Sequence, residues 1–377
     1  MRIGIEGQRL YRKNKHGMDM VALELIKNLQ LIDAENDYFI FVKPDVDNLC
    51  IPQTDNFNII EIKGGPFPIW EQILLPMAAQ KYKCDVLHCT SNTAPLFCNV
   101  PVVTIIHDVI FLENNSLFSK GGSLYQKFGN MYRRWLVPLI AKKSKMISTV
   151  SEFERNNLIQ HFGFGNKIIT IHNGVSTHFK PIKNSATLLQ AKEKYNLPDN
   201  FILFFANTDP RKNTYNAIKA FTYFNQKHPG LLKLIMLDYS EKLLIKVLEQ
   251  IGTTSIRNEI QLLGYVPNNE LPAILNLCKL FLFPSLRESF GIPILEAMAC
   301  GVPVIASNSS SIPEIAGNAA LLVDPNNPQE ISAAIEKLMT DSTLAYEMKE
   351  NGKKQARKFS WKKMARNYLK IYNEVSC

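Results

Sequence analysis

The feature that most constrains the fold is an alternation, along almost the whole chain, of short apolar runs with longer stretches of helical periodicity. A strand buried on both faces reads as a continuous apolar run, and parallel strands need a long connection, usually a helix. The alternation therefore predicts an α/β fold with parallel sheets and crossover helices. The predicted strands are, in chain order, Arg2–Ile5, Tyr38–Val42, Phe57–Ile62, Val86–Cys89, Val102–His107, Met146–Val150, Ile168–His172, Phe201–Ala206, Lys233–Leu237, Ile260–Gly264, Leu280–Pro284, Val302–Ala306 and Leu321–Val323.

The predicted strands fall into two groups, which suggests two domains. A chain of 377 residues is long enough to bury two separate cores. Between the groups, Asn173 to Asp199 holds few strand signals and several residues that break regular structure, so we place the linker there. The predicted domains are residues 1–175 and 176–358, followed by a C-terminal segment, 359–377.

Composition is that of a globular α/β protein, with 46% hydrophobic and 20% charged residues. The first residues lack a long apolar region, so we expect no signal peptide, and no stretch reaches the length of a membrane-spanning helix. Seven cysteines fit a reducing, cytoplasmic compartment better than a disulfide framework. Cys84, His88, Cys89 and Cys98 lie close in sequence, but their spacing matches no zinc pattern, and we predict buried thiols instead.

The formal net charge of +9 and a pI of about 9.0 indicate anionic partners. Phosphates, nucleotides and lipid headgroups all fit this charge. No nucleic-acid-binding motif accompanies it, so we expect no nucleic acid partner.

The segment Phe283 to Ala306 reads as a strand, a small-residue turn and a helix predicted over Pro293–Ala299, with Glu288 in the turn and Glu296 on the first helical turn. A turn that opens a helix offers free backbone N–H groups to a phosphate. Two carboxylates nearby could accept hydrogen bonds from paired hydroxyls on a sugar or ribose. Spacing alone leaves an ordinary turn with solvated acids equally open.

This segment resembles the Glu-x7-Glu signature of retaining GT-B glycosyltransferases, specifically glycosyltransferase family 4. The resemblance extends to Ser309–Gly317, Asp324-Pro325, Leu263–Pro267 and Phe359–Trp361, and so covers most of the C-terminal half. Ser289 departs from the family, where glycine is frequent.

The resemblance implies a GT-B fold, in which two Rossmann-like domains face a central cleft and the last helix crosses back to the first domain. It also implies transfer of a sugar, with retention, from a UDP- or GDP-linked donor to a glycan or lipid-linked glycan. Relatives with this style of C-terminal half favour mannose or a similar sugar and surface polysaccharide synthesis. The donor is a substrate, and we predict no cofactor and no essential metal.

The same resemblance suggests roles for individual residues. Glu288 would contact the donor sugar and Glu296 the ribose. Lys212, in the run Pro210–Asn213 after a predicted strand, would contact the diphosphate, with Arg211 as a weaker candidate. The remaining donor-binding candidates are Ser289, Phe290, Gly291, Ile292 and, in the first domain, Gly17.

His107 and Asp108 end a predicted strand, and they match a family position near the donor sugar. We predict that this pair orients or polarises the sugar. A structural histidine is the alternative, because a lone histidine at a strand end is more often structural. The run Trp70-Glu71-Gln72 also recurs in relatives; we predict a core position for the tryptophan and leave the role of the run open.

Other chemistries have weaker support. No Gly-x-Gly-x-x-Gly or Walker sequence follows a predicted strand. The Asp-x-Asp pattern at Asp45 and Asp47 lacks a nucleotide pocket around it. A GT-B nucleotide-sugar epimerase and a catalytically inactive nucleotide-sugar-binding protein remain as alternatives.

A helix predicted between Lys120 and Lys145 combines basic and apolar residues, which is typical of contact with an anionic membrane surface. The alternative is a core-packing helix with a solvated basic edge. The residues concerned are Lys127, Arg133, Arg134, Lys142, Lys143 and Lys145, with Tyr125, Phe128, Tyr132, Trp135 and Leu136 between them. If the membrane is bound, we expect it to be the inner face of the cell membrane.

Overall fold

In the computed structural model of the protein, the described residues are 1–13, 15, 17–113 and 124–376, with the backbone alone described at 113 and 124–127. The chain divides into two compact units. The first comprises Met1–Gly174 with Trp361–Cys377, and the second comprises Val175–Ser360.

The first unit is built on a parallel sheet of seven strands within the described residues, in the order β3-β2-β1-β4-β5-β6-β7. These strands are β1 Arg2–Glu6, β2 Asp37–Val42, β3 Phe57–Glu61, β4 Val86–Cys89, β5 Val102–Ile105, β6 Met146–Thr149 and β7 Ile168–Thr170. Its helices before the second unit are α1 Gly17–Ile32, α2 Phe67–Ile69, α3 Leu75–Lys81, α4 Ile110–Glu113, α5 Leu124–Lys143 and α6 Glu152–Phe162. A π-helical turn, Trp70–Leu74, joins α2 to α3.

The second unit repeats the pattern with six parallel strands in its described residues, in the order β10-β9-β8-β11-β12-β13. They are β8 Phe201–Phe205, β9 Lys233–Leu237, β10 Ile260–Leu263, β11 Leu280–Phe283, β12 Val304–Ser307 and β13 Leu321–Val323. The helices are α7 Ser185–Lys194, α8 Thr214–Lys227, α9 Glu241–Ile251, α10 Leu271–Leu277, α11 Ile292–Ala299, α12 Ile312–Ala316, α13 Pro328–Thr340 and α14 Ser342–Ala356.

The last helix, α15 (Trp361–Ser376), belongs to the first unit. Its buried Tyr372 hydroxyl lies 2.6 Å from His88 Nδ1 on β4, and its buried Tyr368 hydroxyl lies 2.8 Å from Ser148 Oγ on β6. Burial lowers the pKa of His88 to about 3, so the ring is neutral at physiological pH. Cys84 and Cys89 are buried as predicted, whereas Cys98 is only partly buried, so the prediction was wrong for that thiol.

Both sheets confirm the predicted α/β fold, and every predicted strand is present within the described residues. Several predicted strand ends were wrong by one or two residues; the strand predicted to reach His107, for example, ends at Ile105. The segment predicted as a linker contains the boundary between the two units, at Gly174 and Val175, and it also contains α7. This helix is capped by Asn184, whose side chain accepts from the Ala186 N–H. It buries little apolar surface, so its pattern is faint in the sequence.

Each sheet has one switch point, where the strand order reverses, and ligands of open α/β sheets bind at the carboxyl ends of the strands there. In the first unit the switch point lies between β1 and β4. In the second unit it lies between β8 and β11. The loops that follow these four strands are therefore the places to look for functional side chains.

Candidate functional site

The switch point of the second unit brings together two predicted site residues. Lys212 follows β8 and Glu288 follows β11, and Lys212 Nζ donates to Glu288 Oε1 at 2.6 Å. The lysine side chain is 32% exposed and the glutamate side chain 14%. The pair thus crosses the switch point and holds a positive and a negative charge at its edge.

The loop that carries Glu288 is held by a serine-rich segment after β12. Ser310 Oγ accepts from the Glu288 N–H at 3.0 Å, and Ser311 Oγ donates to the carbonyl oxygens of Glu288 and Phe290 at 3.0 and 3.2 Å. Ser309 Oγ donates to the Leu286 carbonyl at 3.0 Å. The sequence shows these serines as part of the family resemblance, but their partners appear only in the fold.

Asn213 fixes the other side of the switch point and was not predicted as a site residue. It is buried with a positive φ of 59°, and its Nδ2 donates to the carbonyls of Pro284 and Pro325 at 2.9 and 2.6 Å. Asparagine tolerates this left-handed conformation better than most residues do. The residue after Lys212 thereby ties together the ends of β11 and β13.

Arg211 is positioned differently from Lys212. Its Nε donates to both carboxylate oxygens of Asp209 at 3.0 Å. Burial alone would raise the pKa of Asp209, but the hydrogen bonds from Arg211 bring it below the usual value. The guanidinium is therefore engaged with a neighbouring acid rather than with Glu288.

The turn before α11 has the conformation expected of a glycine-dependent loop. Gly291 precedes the helix with φ of 102°, and a Cβ added there would meet the Ile294 side chain at 3.3 Å. Phe290 is buried and packs edge-on against Phe359, so its side chain belongs to the core. Ser289 is partly buried, and Ile292 is the first residue of α11.

Glu296 is on α11 but beyond its first turn, because the helix begins at Ile292 rather than at Pro293. The prediction of a first-turn position was wrong for this reason. Burial raises the pKa of Glu296 to about 8. This carboxyl group is thus partly protonated near neutral pH and would gain from a partner that donates hydrogen bonds.

A cavity of about 320 Å³ opens beside Lys212 in the second unit. Its walls come from the carboxyl ends of β8, β9, β10 and β11 and from Pro293 at the start of α11. Tyr265, 78% exposed, stands at its edge, and Asp238 contributes a backbone with φ of 53°. The sequence offered Tyr265 only as part of the Leu263–Pro267 resemblance.

His107 is buried after β5 in the first unit. Its Nε2 donates to the Thr90 carbonyl at 3.0 Å, and its backbone N–H donates to Asn92 Oδ1 at 2.6 Å. Burial lowers the pKa of His107, which the hydrogen bond to Thr90 offsets only in part. The neutral ring therefore keeps Nδ1 as its acceptor nitrogen. Asp108 is partly buried, and its Oδ1 accepts from the Ile110 N–H at 3.3 Å.

Gly17 begins α1 and is exposed. A Cβ added there would lie more than 4 Å from the atoms around it in the described part of the chain. Packing therefore does not require glycine at this position.

The helix predicted as a membrane contact corresponds to α5, and part of that prediction lies outside the described residues. These parts are 120–123 and the side chains of Tyr125 and Lys127. The structure corrects the predicted apolar face, because Leu136 is fully buried and Tyr132 packs against the core. Phe128 and Trp135 are exposed, in agreement with the prediction. Among the described side chains of α5, Met131 and Leu139 join them, and these four apolar residues are 40–65% accessible and are spaced along one face of the helix.

No helix among the described residues has the length and apolar character of a membrane span. In the same part of the chain, no cluster of three or more His, Cys, Asp or Glu side chains is arranged to hold a metal ion.

Two sequence families match the chain. Residues 17–179 match "Glycosyltransferase Family 4", and residues 186–355 match "Glycosyl transferases group 1". Together the two matches cover most of both units. Each half of the chain is thus similar to a family of glycosyltransferases.

The names of curated relatives agree with these matches. The serotype-specific mannosyltransferase WbdA of Escherichia coli is 31% identical over 58% of this chain and 28% of its own length. The O-antigen chain mannosyltransferase B of Escherichia coli is 34% identical over 61% of this chain and 60% of its own length. The matched region therefore spans less than two thirds of these curated relatives.

The solved structure of Anabaena HepE in complex with UDP and glucose has a TM-score of 0.76 to this chain. The two share 18% sequence identity, and the superposition covers 99% of this chain and 100% of HepE. HepE has also been solved with UDP-glucose. At this identity the similarity establishes the GT-B fold.

Proposed function

We propose that this protein is a retaining glycosyltransferase that moves a sugar, mannose or a similar one, from a UDP- or GDP-linked donor to a glycan or lipid-linked glycan in surface polysaccharide synthesis. The observation that carries the proposal is the Lys212–Glu288 pair across the switch point of the second unit, beside a cavity of about 320 Å³. The names of the mannosyltransferase relatives favour mannose, and the UDP-bound neighbour favours a nucleotide sugar.

In this proposal the second unit binds the donor. Lys212 and the backbone N–H groups of Ser289–Ile292 at the start of α11 neutralise the diphosphate without a metal. Glu296 accepts hydrogen bonds from the ribose hydroxyls. Arg211 has a smaller part, because it is engaged by Asp209. We further propose Gly17, the first residue of α1, as a donor-binding residue.

Glu288 contacts the donor sugar and stabilises the positive charge that develops at its anomeric carbon, while His107 and Asp108 orient the sugar. The bond from the anomeric carbon to the diphosphate oxygen breaks as the acceptor oxygen bonds to the same face. The departing diphosphate oxygen takes the acceptor's proton. Retention then follows without a covalent nucleophile on the protein.

Thermal unfolding of the purified protein against a panel of UDP- and GDP-sugars tests donor binding. A ligand at 100 times its Kd adds about 2.7 kcal/mol to the free energy of unfolding. The correct donor should raise the Tm of the wild type and raise that of Lys212→Met much less. Transfer to a glycan acceptor, with the product's anomeric configuration read by NMR, tests the reaction.

Three outcomes would contradict the proposal. Conversion of the nucleotide sugar without an acceptor would indicate an epimerase. Binding without turnover would indicate a nucleotide-sugar-binding protein. An inverted anomeric centre in the product would exclude retention.

We also propose that the protein is cytoplasmic and lies on the inner face of the membrane through α5. Its exposed apolar residues include Trp135, and Lys142 and Lys143 follow in the last turn of the helix. Both lysines are exposed, although Lys143 Nζ also donates to the Leu96 carbonyl at 3.0 Å. Arg133 and Arg134 contribute less, because each is partly buried and donates to protein oxygens, Asn130 Oδ1 and the Leu112 carbonyl. Each basic residue near an anionic surface adds about 1 kcal/mol, screened by salt.

The fluorescence of Trp135 can report contact between α5 and a membrane surface. It is 65% exposed, whereas the other two tryptophans, Trp70 and Trp361, are buried. Phosphatidylglycerol vesicles with brominated acyl chains should quench its fluorescence at low salt. Quenching should be lost in Trp135→Phe and weakened when Lys142 and Lys143 are changed to glutamine. Unquenched wild-type fluorescence at low salt would exclude this surface.

A further inference from the structure

Glu71 is a buried acid that has no role in the donor site proposed above. It sits in the π-helical turn Trp70–Leu74 and is only 2% exposed. The wider turn lets two consecutive side chains, Trp70 and Glu71, both point inward, and such turns are frequent at functional sites.

Three hydrogen-bond donors surround the Glu71 carboxyl group. Thr93 Oγ1 bonds to Oε1, while the Tyr132 hydroxyl and Gln72 Nε2 donate to Oε2 at 2.7 and 2.8 Å. Within the described residues, no Lys, Arg or His forms an ion pair with it. Uncharged groups therefore satisfy a buried acid, an arrangement that is sensitive to the loss of any one of them.

Gln72 also forms hydrogen bonds to the backbone of the neighbouring loop. Its Nε2 donates to the Ala94 carbonyl at 3.0 Å, and its Oε1 accepts from the Leu96 N–H at 2.9 Å. Together with Thr93, the loop Thr90–Leu96 is held at three points by two adjacent residues of the π-turn.

The other end of the same loop lies at the switch point of the first unit. Thr90 directly follows β4, and its N–H and Oγ1 donate to Glu6 Oε2 at 3.2 and 2.9 Å. Glu6 ends β1, so this contact crosses from β1 to β4. The loop is thus a wall of the crevice in which a Rossmann-like sheet binds ligands.

We propose that Glu71, with Gln72, is a positioning residue that holds the loop Thr90–Leu96 in shape for the hydroxyl groups of the acceptor. The inference rests on the proposed function, in which Lys212 and Glu296 of the second unit bind the nucleotide part of the donor. The crevice of the first unit then takes the acceptor, next to the His107 and Asp108 that orient the donor sugar. Ser91 is partly exposed while Thr90 and the residues at 92–95 are buried, so Ser91 is the side chain that meets the acceptor.

Protonation of Glu71 should change its hydrogen bonds in a way that can be tested. Tyr132 accepts from Gln72 Nε2 at 3.0 Å, so its own hydrogen points to Glu71 Oε2. A proton on Glu71 must therefore sit on Oε1 and reverse the bond with Thr93. Burial, with Glu6 adding to it, raises the pKa of Glu71 to about 7; the other titratable groups nearby are Tyr132 and the buried Cys89.

Steady-state kinetics of full-length variants test the role. Glu71→Gln mimics the protonated acid, because its amide can donate to Thr93. Its acceptor KM should match the wild type at pH 6 and stay flat to pH 8.5, while the wild-type value changes near pH 7. Thr93→Val should raise the acceptor KM at least tenfold, whereas Thr93→Ser should keep it at the wild-type value. The affinity for UDP or GDP, which lacks the sugar that His107 orients, should be unchanged in both variants.

Hydrogen–deuterium exchange supplies a readout that does not need turnover. Thr93→Val should speed exchange in the peptide spanning 90–96 and leave 201–213 unchanged. Equal acceptor KM values in Thr93→Val and Thr93→Ser, or unaltered exchange at 90–96, would overturn the positioning role. A wild type that transfers no sugar but shows the exchange effect would refute the proposed function and leave the loop contact standing.

Discussion

Replacing Glu288 by glutamine separates two roles of the Lys212–Glu288 pair. The Lys212 ammonium lies 2.6 Å from the Glu288 carboxylate. A nucleoside diphosphate must share Lys212 with Glu288, since both are anions. We therefore expect that neutralising Glu288 frees the lysine for the diphosphate, whereas removing the lysine deprives the diphosphate of its partner.

The expected magnitudes have opposite signs. A partly exposed ion pair contributes about 0.2–1 kcal/mol, so Glu288→Gln should tighten nucleoside diphosphate binding by up to about fivefold. Lys212→Met removes a charge-assisted hydrogen bond of about 1.5–3 kcal/mol, which weakens binding about 10- to 150-fold. Turnover with the full donor should nevertheless fall by roughly 10²–10³ in Glu288→Gln, because the sugar's developing charge loses its partner.

Calorimetric titration with UDP and GDP measures the first effect in the wild type, both single variants and the double variant. In the double variant the gain from glutamine should vanish, because no lysine remains to be released. A Glu288→Gln protein that binds the nucleotide tenfold more weakly would refute this competition. Near-normal turnover in that variant would remove Glu288 from the reaction.

Three further predictions concern single residues. Glu296→Ala should weaken nucleoside diphosphate binding by about 1.5–3 kcal/mol, and wild-type affinity should rise as the pH passes about 8, where Glu296 ionises; titrations at pH 7 and 9 check both. The pKa of Glu71 is higher folded than unfolded, so wild-type stability should fall by about 3 kcal/mol as the pH rises from 4.5 through 7, and urea unfolding of Glu71→Gln should lack this part of the slope. Gly291→Ala should lower the free energy of unfolding by about 1–2 kcal/mol, because alanine is strained at the positive φ of this position. The control Gly264→Ala should lower it less, because φ there is not in the left-handed region and the new Cβ would have no atom within 4 Å. Equal decreases in the Tm of the two variants would contradict this prediction.

The strands were predictable because most are short runs dominated by apolar residues and bounded by polar or turn residues. Their ends were less so: β12 begins at Val304 rather than Val302, because the Val302 N–H bonds to the Ala297 carbonyl in α11. Helix α7 was missed because it buries only Ala191 fully, which leaves almost no periodic signal. The local hydrophobic pattern of a sequence reports which residues are buried, and a segment that buries few residues gives only a weak pattern.

In the candidate site, the sequence did not predict contacts between residues that lie far apart along the chain. Lys212 and Glu288 were each predicted from local sequence and family resemblance, but their direct contact joins residues 76 positions apart. The bonds from Thr93 and Tyr132 to Glu71 likewise depend on the fold, as does the π-turn that points Glu71 inward. The sequence offered Trp70-Glu71-Gln72 as a recurring run and no reason for its acid.

The order of synthesis has a consequence for the first unit. The second unit, Val175–Ser360, is one uninterrupted stretch and can complete its core while the chain is still leaving the ribosome. The first unit cannot, because the partners of His88 and Ser148 are Tyr372 and Tyr368 on the helix made after the second unit. Its N-terminal portion must therefore wait, with His88 and Ser148 lacking these partners, while some 200 further residues are translated at about 5–20 per second. The first unit of the nascent chain therefore stays incomplete for ten seconds or more, and we expect chaperones to bind it during this time.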